Sequence, residues 1–220
     1  NKKINIVDFF EINQKNQIKK YFGNFIKEKN TNYFYIPTFL SYSPWNIFRQ
    51  LKKKNILLRE YYLDFSDILI LFFSLFNLKY KTKQKFLNTD FSGLIKDDLN
   101  IDSNFRSISL ANQNYILFRN LKKRKIQIEN IISWNENQII DKGWSLGITS
   151  FFPKVKYIGY SGTTLHPQFF NLSPTNSELL SGVVPKKIYI LGNKYLKSRR
   201  LFCKNIKYKI TKNNRFKFVF

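Results

Sequence analysis

Asn130-Ile131-Ile132-Ser133-Trp134-Asn135-Glu136-Asn137-Gln138-Ile139-Ile140-Asp141-Lys142-Gly143-Trp144 is the run on which the fold turns. Its first part is short, apolar and β-branched, as a strand covered on both faces must be; it then breaks into polar residues and restarts with helical spacing. The reading predicts a strand over residues 128–133 and a helix over residues 138–151. Downstream the pattern repeats, with strands expected at 155–160, 187–191 and 206–210, helices at 175–181 and 193–202, and the start of a further strand at 216–220.

Upstream, an opening strand at 4–7 leads to a helix over 11–28 that carries Ile18, Phe22, Phe25 and Ile26 on one face. A strand at 33–36 is expected to stop at Pro37. Ser43 and Pro44 mark a helix start, as cap and first-turn residue, leading through Trp45, Ile47, Phe48 and Leu51 to cations at Lys54. Ser66 and Asp67 open an apolar helix to Leu78, residues 79–104 read as loop-like or only locally helical, and a long amphipathic helix covers 105–123. Strands interleaved with helices imply an α/β fold, a Rossmann-like parallel sheet flanked by helices.

A chain of 220 residues buries roughly 70% of its unfolded surface and can build a core without covalent staples. One cysteine, Cys203, and one histidine, His166, exclude a disulfide framework and zinc, and no metal or other cofactor is expected. The most apolar run, 68–78, contains Ser74 and Asn77, is too short to span a bilayer and reads as a buried core helix. No secretory signal is visible at the start, so the expected location is cytoplasmic, with peripheral contact at the inner membrane as a refinement. The absence of methionine, and an end on Phe218-Val219-Phe220, suggest a fragment of a longer reading frame.

The formal net charge is +24. Clustered cations would favour nucleic acid, but here they are scattered, in a composition rich in Lys, Asn, Ile, Phe and Tyr. Short clusters at 52–54, 122–125 and 197–200 each lie beside an apolar helix face. Solvated helix surface is favoured over nucleic-acid contact, with attraction to anionic lipid as a secondary use.

In open parallel sheets ligands bind outside the carboxyl ends of strands, which is where Trp134, Asn135, Glu136 and Asn137 fall. A carboxylate there can accept a proton from a sugar hydroxyl. Helix capping accounts for the same residues, with Asn135 or Asn137 as N-cap and Glu136 in the first turn, and residue types alone favour capping. Gly143 and Gly147, one turn apart, point to close packing of the helix. The turn Gly159-Tyr160-Ser161-Gly162-Thr163-Thr164 could approach a phosphate or sugar, although the three-glycine dinucleotide spacing is absent. His166 reads as general base, anion donor or plain surface residue. No nucleophile elbow or Asp-x-Asp pair occurs, and the run Asp98, Asn100, Asp102 fails as a calcium loop because Ser103 replaces the turn glycine.

The run 134–144, with Phe152-Pro153, Tyr157-Ile158-Gly159-Tyr160 and Pro174-Thr175, resembles bacterial surface-carbohydrate glycosyltransferases of the GT-B fold. Tyr35-Ile36-Pro37-Thr38 and residues 57–63 add to the similarity, which extends to about Arg200. The resemblance implies a two-domain enzyme. Its N-terminal Rossmann-like domain holds a polysaccharide or lipopolysaccharide acceptor, and its C-terminal domain a nucleotide-activated sugar. This chain would be mostly the first domain, over 1–200, with 201–220 the start of a second domain or a tail. Glu136 would be the catalytic residue. Trp134, Asn135, Asn137, Tyr160, Ser161, Gly162 and His166 would bind substrate, and the partners would be a nucleotide-sugar donor and a glycan acceptor. The competing reading is a non-catalytic basic domain that binds nucleic acid or an anionic membrane; a degenerate, inactive relative is a third.

Overall fold

The structure, a computed structural model, describes residues 3–10, 22, 32–38, 45, 55–76, 85–86, 89–93, 97, 102–162 and 172–211. Most of the helix expected over 11–28, most of the one opening at Ser43, the strand at 216–220, Thr163, Thr164 and His166 lie outside the described residues.

Six strands form one sheet: β1 (Ile4–Phe10), β2 (Tyr33–Thr38), β5 (Ile128–Trp134), β6 (Lys156–Ser161), β7 (Lys187–Leu191) and β8 (Lys207–Thr211). Their order is β2-β1-β5-β6-β7-β8, and every neighbouring pair is parallel. The fold is therefore α/β with a Rossmann-like parallel sheet and flanking helices. Strand order reverses between β1 and β5, and it is outside the carboxyl ends of strands at such a reversal that open parallel sheets bind their ligands. Residues 207–211 belong to this same sheet, so no sheet boundary falls at residue 200.

One face of the sheet is covered by α2 (Asp102–Lys123) and α3 (Ile139–Phe151). Here Ile6, Ile36 and Ile131 pack against Leu117, Phe118, Leu121, Trp144 and Ile148. Trp144 is fully buried, its ring 5.1 Å from that of Phe118 in an edge-on arrangement. The other face carries an aromatic cluster in which Phe22, from a helical residue, packs against Phe9, Trp134 and Tyr160. A third cluster, with Ile188, Ile190, Cys203 and Ile206 at its centre, closes the β7–β8 end. It is flanked by α4 (Asn176–Leu180) and α5 (Leu196–Arg199).

Four expectations are corrected. Strand β2 does not stop at Pro37 but pairs it with Phe9; β2 is the outermost strand of the sheet, bridged on its outer side at Tyr35 by residues 55–57, and Pro37 lies beyond that bridge, where a missing N–H costs no ladder bond. Residues 79–104, expected to be loop-like or only locally helical, also form a short hairpin, β3 (Lys85–Phe86) with β4 (Thr89–Asp90), and α2 begins at Asp102. Helix α5 is a single turn, not a helix over 193–202. The apolar helix α1 (Phe65–Phe76) is not a core helix. Helices α2 and α3 already fill the sheet face, so α1 packs on the outer flank of α2 and leaves Phe65, Ile68, Phe72 and Phe73 exposed.

The glycines of α3 do allow close packing. A Cβ on Gly143 would stand 2.0 Å from the carbonyl oxygen of Ala111, and one on Gly147 would stand 2.9 Å from Cδ2 of Phe118. Backbone cannot yield as a side-chain tip can. Gly143→Ala is expected to destabilise the chain by about 1–3 kcal/mol despite alanine's better helix propensity, read from the denaturant midpoint. An unchanged midpoint would mean that α2 and α3 are not held at this separation.

Candidate functional site

The carboxyl ends of the strands on the α2–α3 face carry polar side chains where apolar ones would be expected. On β1 the alternation that buries Ile4 and Ile6 on this face reaches Asp8, which is 5% exposed. Arg59, in the 3-10 turn Arg59–Tyr62, is buried beside the end of β2, where its Nη2 donates to the Pro37 carbonyl at 2.8 Å and to Thr38 Oγ1 at 2.9 Å. Asp141, in the first turn of α3, lies within electrostatic reach of Asp8.

Burial pushes the Asp8 carboxyl up to about 8: Arg59 opposes this and Asp141 reinforces it, while backbone hydrogen bonds at Trp134 and Phe9 restrain it. Burial likewise pushes Asp141 up to about 7, although its Oδ2 accepts the N–H of Glu136 at 2.8 Å and of Gln138 at 3.0 Å. Beneath them the Tyr157 hydroxyl lies 2.9 Å from both Ser133 Oγ and Ser145 Oγ, and burial raises it above the usual phenol range. These groups join β1, β2, β5, β6 and α3 through polar contacts.

Glu136 stands at the rim of this cluster, half-buried in the turn between β5 and α3. The N-cap of α3 is Gln138, and the capping carboxylate is Asp141. Glu136 and Asn137 therefore precede the helix, and neither the N-cap role expected of Asn135 or Asn137 nor the first-turn role expected of Glu136 is observed. Asn137 adopts φ +58, in the left-handed region, and its Oδ1 accepts from Lys142 Nζ at 3.3 Å. Lys142 also pairs with Glu178, whose carboxylate takes the N–H of Thr175 at 2.7 Å and caps α4. The turn bearing Glu136 is thus tied to the segment at Pro174 and Thr175.

Gln138 Nε2 donates to Glu136 Oε2 at 3.1 Å. Glu136 also lies within electrostatic reach of Arg199, which is 5% exposed and whose Nη2 is 3.5 Å from Ser161 Oγ. Burial lowers the Arg199 pKa, yet a guanidinium keeps its charge throughout the physiological range. Asn135 is held by its N–H on the Tyr160 carbonyl at 2.9 Å. Its Nδ2 is buried with no acceptor among the described residues, a donor whose unmet bond costs about 1–3 kcal/mol.

Of the expected site residues, Glu136 and Ser161 come together around Arg199, and Asn135 is joined through its backbone to Tyr160. Trp134, Tyr160 and Gly162 come together on the opposite face, as a packed aromatic wall with Trp134 and Tyr160 5.5 Å apart and perpendicular. A Cβ on Gly162 would meet the Trp134 ring at 2.3 Å. Sequence reasoning missed Asp8, Arg59, Tyr157 and Arg199. The one local signal was Asp8, the only charged residue of a strand that is apolar but for it and Asn5. Among the described residues no group of His, Cys, Asp and Glu could hold a metal ion. Comparison with protein-family models, with curated proteins and with solved structures finds no match.

The raised carboxyls fix the sign of a pH effect. In the folded chain Asp8 and Asp141 keep protons that the unfolded chain loses near the ordinary value of 3.8. Their stabilising contribution is complete at low pH and lost as pH rises through about 7 and about 8. The denaturant midpoint is expected to fall between about pH 5 and about pH 8, approaching about 1.4 kcal/mol per pH unit for each retained proton. Asp141→Asn, whose amide oxygen can still accept both N–H groups, is expected to flatten the slope; an unchanged slope would place the titration elsewhere.

Proposed function

We propose that the chain is the acceptor-side, Rossmann-like part of a glycosyltransferase of the GT-B kind that acts in surface-polysaccharide assembly. The single observation that carries this reading is Glu136. It lies at the carboxyl edge of the sheet, next to the reversal of strand order, and helix capping, the alternative use for it, is performed by Asp141. The sequence resemblance over 134–160 supports the same residue.

In this reading a sugar hydroxyl of the acceptor sits against Glu136, with the orphaned Asn135 Nδ2 as a donor to one of its oxygens. Glu136 takes the hydroxyl proton as that oxygen bonds to the anomeric carbon of the donor sugar. The bond from that carbon to the phosphate oxygen breaks, and the nucleotide leaves with the bonding electrons. Arg199 and Gln138 orient the carboxylate. Trp134, Tyr160 and Gly162 set the wall behind the turn, and the nucleotide-activated donor is bound by a second domain.

A second reading has its own observation. A cleft of about 650 Å³ is lined by Asn193, Leu196, Lys197, Arg200, Leu201 and Lys204, three cations and no carboxylate, which favours binding of an anion. A basic binding domain would use that cleft and not Glu136.

The two readings separate in one assay. The full-length protein is incubated with glycan acceptors and a panel of nucleotide sugars, and nucleotide release is followed. Glu136→Gln is expected to leave the unfolding midpoint unchanged and to lower release by about 10²-fold or more, the range for loss of a general base. Unchanged turnover would make Glu136 a structural residue. Absence of turnover from wild-type protein, with steep salt dependence of nucleic-acid binding, would favour the basic binding domain.

A further inference from the structure

Helix α1 is inverted relative to a core element. Its one carboxylate, Asp67, is 1% exposed and turned inward, where Asn120 Nδ2 donates to it at 2.6 Å and Arg119 pairs with it. Burial pushes Asp67 up, but the Asp64 N–H, Asn120 and Arg119 outweigh that and hold it below the usual carboxylate range. Leu71, one turn on, is buried on the same flank.

The opposite flank is apolar and faces solvent. Phe65 is 76% exposed, Ile68 52%, Leu69 43%, and Phe72 and Phe73 56% each. Their spacing is that of one continuous helical stripe, and Tyr61, also exposed, extends it past the helix start. Isolated exposed apolar residues need no explanation; a contiguous stripe of this kind marks an interaction surface. Over residues 65–73 the exposed arc contains one polar residue, Ser66, and the exposed carboxylates Glu60 and Asp64 stand only at its start, so polar groups are confined to one end of the stripe.

Cations stand beside it. Helix α2 ends on Lys122 and Lys123, followed by Arg124 and Lys125, all exposed. Arg124 lies 4.9 Å over the Tyr62 ring and 3.8 Å from Asp64, which sets it at the start of α1, while Lys122 stands 5.6 Å over the Phe152 ring. A second copy of the chain is a poor occupant, because it would bring together two molecules of charge +24. A surface that offers anions and hydrocarbon in adjacent layers fits both features. Twelve residues are too few to cross a bilayer, for which roughly 20 are needed.

We propose that α1 lies in the interface of an anionic membrane, with Phe65, Ile68, Leu69, Phe72 and Phe73 at the acyl boundary and the 122–125 cluster against lipid headgroups. The assignment goes beyond the proposed transferase activity and stands independently of it, since neither donor nor acceptor is involved.

The test is co-sedimentation of the full chain with vesicles of phosphatidylglycerol and phosphatidylethanolamine, against vesicles of phosphatidylcholine alone. Binding is expected only to the anionic vesicles and should weaken in high salt. The double variant Phe72→Ser, Phe73→Ser is expected to lower partitioning about tenfold or more at an unchanged unfolding midpoint. Lys123→Gln should cost about fivefold, the equivalent of one surface cation. As a measure that does not depend on that variant's folding, Phe72→Trp should be quenched by brominated acyl chains beyond the quenching of the parent chain. The assignment is overturned if the chain ignores anionic vesicles, if the serine variant sediments as the parent does, or if Phe72→Trp adds no quenching. A concentration-dependent dimer that the serine variant abolishes, without vesicle binding, would overturn it in favour of a second copy.

Discussion

The backbone contact between Gly143 and Ala111 sets the geometry on which the rest of this face depends. With no side chain between them, α2 and α3 share one layer over β1 and β5, and Trp144, Phe118 and Ile148 fill the space beneath. The start of α3 is then fixed relative to β5, and the short turn between them has to leave the strand and enter the helix within a few residues. Asn137 accommodates the change of direction with a left-handed conformation, while Asp141 binds the turn through two backbone N–H groups. The position of Glu136 follows from packing more than a helical turn away.

The second constraint is charge. Burying Asp8, Asp141 and Arg59 together is costly unless each finds polar partners, and the structure supplies them from several elements. Arg59 uses the carbonyl of Pro37 and the hydroxyl of Thr38, so the proline that an edge strand tolerates also helps seat a buried cation. Removal of any one partner would leave the others without compensation, which makes the cluster a cooperative unit. A proton-retaining pair of carboxyls at the reversal of strand order is also where this fold type positions ligands.

The β5–α3–β6 unit was legible because its signals are local: a β-branched run, a polar break, helical spacing and two glycines. Pro37 was misread as a terminator, since nothing near it discloses that its strand lies at an edge. Helix α1 was misread as core for a related reason: composition records that Phe65, Ile68 and Phe73 avoid water, but not which layer is already full. Asn135 and Glu136 could be singled out by their place after a strand. Asp8, Arg59 and Arg199 could not be grouped, because only the sheet order brings residues so far apart in the chain to one edge.

The two outer strands also bear on behaviour at high concentration. An exposed strand edge is a template for adding a strand from another molecule, the first step toward ordered aggregates. Here the outer side of β2 is bonded at Tyr35 to Asn55 and Leu57 and then carries Pro37, which offers no donor, and β8, the outermost strand at the other side among the described residues, alternates Lys207 and Lys209 along its length. Two β8 strands brought side by side would set lysines against lysines at the spacing of a sheet, about 4.8 Å. Lys209 is also held over the Tyr189 ring, so that moving its charge aside would forfeit that contact. The sheet thus has defences at both flanks against colloidal growth, which lets a chain with 23 phenylalanines keep its strands to itself.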